Sequence, residues 1–175
     1  NTPEGIEVRV HPMLIPERHP LASVNDSFNA VFVHGDAVDD AMFYGRGAGE
    51  LPTASAVVGD IFDIARNLQY ECCGRISCTC YKQLPIKAMD DICSKYFLRM
   101  LVENEPGVLA AVTAVFGDRK VSIEQIIQKK KIGELAEIVV ITEKVKERHV
   151  KDSLKAFEEM TAVKKVSSVI RVYGE

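Results

Sequence analysis

The stretch Tyr96-Phe97-Leu98-Arg99-Met100-Leu101-Val102-Glu103-Asn104-Glu105-Pro106-Gly107-Val108-Leu109-Ala110-Ala111-Val112 decides how the C-terminal half folds. Tyr96 to Val102 is an apolar, partly aromatic run of strand length. Glu103 to Gly107 then breaks it, because Pro106 fixes φ and Gly107 opens backbone conformations that other residues avoid. Beyond the break, Val108, Leu109, Val112, Val115 and Phe116 recur at helical spacing. The alternation repeats downstream. Val121, Ile123 and Ile126, then Leu135 to Ile141, predict two strands joined across Lys131-Ile132-Gly133-Glu134. Val150, Leu154, Phe157 and Met160 predict a second helix, and Val166 to Tyr173 a closing strand.

The resulting order, βαββαβ, is the ferredoxin-like split arrangement, a sheet with both helices on one face, and the fold class is α+β. Toward the N-terminus, Ile6, Val8 and Val10 alternate with Glu7 and Arg9, which predicts a strand with one buried face. Pro12, Pro16 and Pro20 interrupt regular structure. Phe28 to Val33, closed by Gly35-Asp36 and followed by Ala41 to Tyr44, predicts a hairpin. From Thr53 onward, Ala54, Val57, Val58, Ile61, Ile64, Ala65 and Leu68 recur at helical spacing, so one face of a long helix is expected to be buried.

Between hairpin and helix runs Phe43-Tyr44-Gly45-Arg46-Gly47-Ala48-Gly49-Glu50-Leu51-Pro52-Thr53-Ala54-Ser55. Glycines at alternate positions remove side chains where a backbone approaches something closely, and a helix N-terminus favours an anion. The spacing departs from the dinucleotide fingerprint, since the third position is Glu50 or Pro52 where glycine is required.

Composition sets the bounds. The chain has 175 residues, 47% of them hydrophobic, and a formal charge of −3, which gives no electrostatic case for nucleic acid or an anionic membrane. No apolar run approaches the roughly eighteen residues of a membrane span, and the N-terminus lacks a signal-peptide layout. A soluble, cytoplasmic protein is expected. Starting at Asn1 without an initiator Met, the sequence reads as a fragment.

Several residues invite chemistry and receive plainer readings. Cys72, Cys73, Cys78 and Cys80 form C-C-x4-C-x-C, which lacks the paired knuckles of structural zinc, so a linker with free thiols is expected and no metal. His11, His19 and His34 stand beside prolines or a glycine turn and read as structural. Lys129-Lys130-Lys131 is too short for a nucleic-acid footprint. No local motif supports a Ser or Cys nucleophile.

The order from Glu4 to Asn67, with Val8-Arg9-Val10-His11-Pro12-Met13-Leu14-Ile15-Pro16, His19-Pro20-Leu21-Ala22 and the glycine run, resembles homoserine dehydrogenase. Val102 to Val112, with Val115-Phe116-Gly117, Val121-Ser122-Ile123 and Gln128, resembles the ACT domain, a ferredoxin-like module that commonly binds amino acids between domains. The resemblance implies three regions: 1–70 from the end of the catalytic region, 71–94 a cysteine-bearing linker, and 95–175 the ACT domain. It implies NAD(P) as cofactor of the full-length enzyme, with Gly45, Gly47, Gly49, Thr53 and Ser55 facing it. The acid–base lysine and substrate carboxylates would lie outside this sequence, which leaves no catalytic residue here. The chain alone is then expected to be inactive and to retain no cofactor.

The effector, with L-threonine as the natural choice, would meet Asn104, Glu105, Pro106, Gly107, Val108 and Leu109, with Ser122 reaching it across paired ACT domains in a homo-oligomer. Asn104 equally suits a turn-stabilising role. Gln128 reads as a solvated strand position. The alternative to an enzyme is a stand-alone, non-enzymatic amino-acid-binding or assembly module.

Overall fold

A computed structural model describes residues 5–72 and 82–174. The chain divides into two compact units, one of Asn1–Ile15 with Leu84–Glu175, the other Pro16–Gln83. The first unit therefore gathers in residues 5–15 and 84–94, which the sequence assigns to the catalytic region and the linker.

In the first unit everything hangs on β4 (Cys93–Glu103). Every second residue, from Ser94 through Tyr96, Leu98 and Met100 to Val102, is buried on one face, as the two-residue period of a strand requires. Antiparallel to it lie β6 (Leu135–Thr142) and β8 (Val163–Val172), and β5 (Ile123–Ile132) pairs with β6. With β1 (Met13–Leu14) added at the edge, the order is β1-β8-β4-β6-β5. Helices α2 (Val108–Asp118) and α3 (Glu147–Glu159) cover the buried face. Val112, Phe116, Val150 and Phe157 close the core, with the two phenyl rings edge to face at 5.0 Å. The βαββαβ expectation holds, and a short β7 (Val145–Lys146) pairing with the start of β4 is an addition to it.

The N-terminal segment departs from expectation. Instead of a strand over residues 6–10, Ile6 makes an isolated parallel bridge to Ile86, while Met13 and Leu14 pair in parallel with Arg171 and Val172. Val8 and Val10 face solvent at 62% and 102% exposure. The polar residues turn inward because their partners are there: Lys87 Nζ meets Glu7 Oε1 at 3.0 Å, and Arg9 Nη1 donates to Ser94 Oγ at 2.7 Å. The segment is a strap that caps one end of the sheet.

A polar cluster sits at that same end. Tyr96 Oη donates to Glu147 Oε2 at 2.5 Å, and Arg171 Nη2 donates to the same oxygen at 2.6 Å, with the guanidinium 5.6 Å from the Tyr96 ring centroid. Burial alone would raise the Glu147 pKa, but the hydrogen bonds from Tyr96 and Arg171 outweigh it and hold the carboxyl below its ordinary value. Burial, reinforced by the bond to Glu147, pushes the Tyr96 phenol well above its usual range. The cluster ties β4, β8 and the first turn of α3 together.

The second unit holds β2 (Phe28–Gly35) and β3 (Asp39–Arg46), an antiparallel hairpin in register from Phe28↔Arg46 to Gly35↔Asp39. Phe28 stacks on Tyr44 at 4.8 Å, Arg46 lies over the Phe28 ring, and His34 meets Asp40 at 2.8 Å. His19 caps a short 3-10 turn by accepting from the Leu21 N–H, a structural role as expected. Helix α1 (Glu50–Gln69) follows, and none of its residues is buried. The expected burial of one face is absent among the described residues, with Val57, Ile61 and Leu68 at 53%, 58% and 75% exposure.

The Tyr96–Glu147 pair sets a pH signature. The lowered Glu147 pKa contributes stability that is present above its ordinary 4.5 and lost as pH falls through the lower folded value. The raised Tyr96 pKa contributes stability that is present below its ordinary 10.0 and lost as pH rises beyond it. Denaturation midpoints measured from pH 3 to pH 11 on the wild type and on Glu147→Gln are expected to show a smaller acid-side loss in the variant. Superimposable acid limbs would refute the assignment.

Candidate functional site

Two places carry the site residues anticipated from sequence, one in each unit. The first is the loop between β4 and α2. Gly107 has φ of 91°, a left-handed conformation in which a Cβ would be strained, and it caps α2. The Ala111 N–H donates to Gly107 O and the Val108 N–H to Glu105 O at 3.4 Å, which leaves the N–H groups of Leu109 and Ala110 as the donors of the first turn without a backbone partner. The Asn104 N–H donates to Glu134 O at 3.2 Å, which anchors the loop to the β5–β6 turn.

Asn104, Glu105, Val108 and Leu109 line a recess of about 40 Å³ together with Gln128 and the apolar floor of Val102, Ala136 and Ile138. Gln128 Nε2 donates to Asn104 Oδ1 at 3.2 Å. Gln128 is exposed on its strand, as its reading as a solvated position expects, and it also lines this recess. Strand parity held the signal: Ile126 packs against the core, so Gln128, two residues on, shares its face. Ser122 is not brought to this recess. Its carbonyl accepts from the Glu143 N–H at the opposite end of β5.

The second place is the glycine run. Gly45 lies in β3 opposite Asn29, and an added Cβ there would meet nothing within 4 Å. At Gly47 an added Cβ would lie 1.9 Å from Asn29 Nδ2, so this glycine makes room for its own hairpin. Gly49 has φ of 131° and stands immediately before α1.

The helix begins at Glu50, three residues ahead of expectation, which corrects the placement of Thr53 and Ser55 at its start. The Thr53 N–H already donates to Gly49 O at 3.1 Å, and Ser55 belongs to the second turn. Glu50 puts a carboxylate into the first turn, where it competes with any incoming anion. These residues do not by themselves fit the phosphates of a dinucleotide.

Of the cysteine cluster, Cys72 is exposed and unbridged, as is Cys93 in β4. Cys73, Cys78 and Cys80 lie outside the described residues. No group of metal-ligating side chains occurs among the described residues. None of the described helices is long and apolar enough to cross a membrane.

A βαββαβ sheet carrying a Pro-Gly loop into its first helix defines the C-terminal unit as an ACT domain, and the ACT model matches residues 96–161. The model of homoserine dehydrogenase matches residues 2–62. Homoserine dehydrogenase of Neisseria gonorrhoeae is 43% identical over 98% of the chain, and that of Bacillus subtilis 40% identical over 97%. The crystal structure of a homoserine dehydrogenase from Thiobacillus denitrificans superposes on 98% of the chain with a TM-score of 0.86 at 37% identity. The chain belongs to the homoserine dehydrogenase family. It spans about 40% of the length of these relatives, 41%, 40% and 40% respectively.

The two glycines of the run have different structural weight. Gly49→Ala forces a side chain onto φ of 131° and should destabilise the hairpin-to-helix junction by about 1–3 kcal/mol. Gly47→Ala should cost less, because the Asn29 side chain it meets is exposed and can swing aside. Amide hydrogen exchange across 45–55 checks the order; equal protection in both variants would contradict it.

Proposed function

We propose that this chain is the ACT-bearing part of a homoserine dehydrogenase, an enzyme that interconverts L-homoserine and L-aspartate 4-semialdehyde with NAD(P), and that its ACT domain senses L-threonine. The observation that carries the sensing is that Asn104 shares one recess with Val108 and Leu109 of the first turn of α2, which Gly107 caps. Helix-end N–H groups and an amide donor suit an α-carboxylate. Branch-point chemistry favours threonine, because homoserine is its precursor.

The recess, at about 40 Å³, is far smaller than the several hundred Å³ in which proteins usually enclose a small ligand. A second ACT domain would therefore complete the site, which makes effector binding and pairing of the chains one event. Inhibition further requires that the effector bind two states of the enzyme with different free energy. The strap supplies a physical link, since Glu7 and Arg9 lie within the homoserine dehydrogenase match yet are bonded to Lys87 and Ser94 of the ACT-bearing unit. A shift of the sheet on effector binding would be felt at the strap.

The nicotinamide cofactor supplies the hydride chemistry of the full enzyme. No step is assigned to Gly45, Gly47, Gly49, Thr53 or Ser55, whose geometry serves the hairpin and helix. This chain alone is expected to turn over no homoserine.

A thermal-shift titration of the chain with L-threonine, beside L-serine, L-methionine, L-isoleucine and L-lysine, tests the sensor. A ligand at a hundred times its dissociation constant stabilises the state it binds by about 2.7 kcal/mol, several degrees in a domain of this size. Selective stabilisation by threonine, abolished in Asn104→Ala, is the expected result. A response to none of the five amino acids would count against sensing by this chain.

A further inference from the structure

A larger recess lies at the strap end of the sheet, at the other end of β4 from the Asn104 loop. Its volume is about 330 Å³, within the usual range of a small-molecule site. Arg9 of the strap, Ser94 and Lys95 at the start of β4, Lys144 in the bend between β6 and β7, and the end of β8 all contribute to its wall. Arg9, Lys95 and Lys144 are cationic, and no carboxylate lines the recess among the described residues.

The cations differ in what already neutralises them. Lys95 Nζ meets Glu124 Oε2 at 2.7 Å, and Glu143 acts on it as well, so its charge is compensated from outside the recess. Arg9 uses one N–H on Ser94 Oγ and pairs with no carboxylate among the described residues. Lys144 has neither a hydrogen-bond nor an ion-pair partner among the described residues. Ser94 is only 6% exposed, and because its oxygen accepts from Arg9, its own O–H is a donor with no acceptor among the described residues. A buried hydroxyl in that position is unfavourable until something accepts its proton.

Two uncompensated positive charges and a free hydroxyl donor match a ligand that only accepts and carries close to two negative charges. A phosphate monoester brings about −1.5 to −2 at neutral pH and three terminal acceptor oxygens. A lone carboxylate would leave one cation unmatched. Arginine suits phosphate further because its fork can place two N–H groups on two oxygens. Met13 and Val172 also line the recess and offer apolar surface to the organic part of an ester.

We propose that this recess binds the phosphate group of a small monoester, or phosphate itself, through Arg9, Lys144 and Ser94, and that the bound anion pins the strap to the sheet. The pinning follows from where the three residues stand: one is in the strap, one on β4 and one in the bend before β7, so a single anion joins three segments. None of this depends on the amino-acid reading of the Asn104 loop.

The test is calorimetric titration of the chain with inorganic phosphate and with glycerol 3-phosphate, at an ionic strength held constant with sodium chloride. Wild type, Lys144→Gln and Lys155→Gln are compared, Lys155 being an exposed lysine of α3 that does not line the recess. The wild type should bind saturably, Lys144→Gln about tenfold more weakly, and Lys155→Gln like the wild type. Lys144 has no partner to lose, so its variant should melt with the wild type when no anion is added. Tighter binding of glycerol 3-phosphate identifies the ligand as an ester; equal or weaker binding identifies it as free phosphate. Amide exchange across 6–15 should slow when the anion is added to the wild type and stay unchanged in Lys144→Gln at the same concentration. Saturable binding without slower exchange refutes the pinning. No saturable binding of either anion, or an affinity of Lys144→Gln no weaker than that of Lys155→Gln, overturns the site.

Discussion

Strand β4 is hydrogen-bonded on both sides for most of its length, to β6 from Phe97 to Glu103 and to β8 from Lys95 to Val102. Its inward residues are at most 6% exposed. A strand flanked on both sides cannot slip by one residue without turning Tyr96, Leu98, Met100 and Val102 out of the core. The register of β4 thus fixes where it ends, at Glu103, and the next residue is Asn104. The candidate loop is thus placed by the packing of the strand that precedes it, whose Val102 also forms part of the floor of the recess.

The same strand organises the polar cluster at its other end. A carboxylate at 9% exposure is unfavourable alone, but Glu147 accepts from both Tyr96 and Arg171, and its own N–H donates to Ile92 O. Those bonds orient the first turn of α3, while Lys151 and Arg148 reach back to Asp90 and Asp91 in the turn before β4. The exposed pairs contribute little individually. The buried one specifies which residue of α3 meets which residue of β8, and so holds the helix in place over the Phe157 contact with Phe116.

What the sequence disclosed follows from the range of the forces involved. The βαββαβ order was legible because each element carries its own period, and the hairpin because Phe28 to Val33 and Ala41 to Tyr44 flank a turn. The strap was misread because local alternation names the apolar face of a strand but cannot see Lys87 or Ser94, some eighty residues away, which turn Glu7 and Arg9 inward. The start of α1 was placed late because the apolar pattern begins at Ala54. Gly49 with Pro52 in the first turn was the overlooked signal, since proline is tolerated there and nowhere deeper in a helix. The Asn104–Gln128 pair spans a turn and a strand, and only the register of β5 on β6 brings its members together.

The exposed helix α1 bears on how the two units differ. The ACT-bearing unit buries a continuous core of aliphatic and aromatic side chains, whereas the hairpin-and-helix unit contains no buried apolar residue among those described. Its order comes from local devices: the Phe28–Tyr44 stack, Arg46 over Phe28, the hairpin ladder and the hydrogen bonds internal to α1. Such devices sustain a hairpin or a helix only marginally in water, because most helix stability in proteins comes from packing an apolar face. A stripe of Val57, Ile61, Ile64 and Leu68 is costly to leave in water, so the unit's stability is conditional on whatever covers it. The asymmetry is one of packing: the ACT-bearing unit carries its own core, and the hairpin-and-helix unit depends on what it packs against.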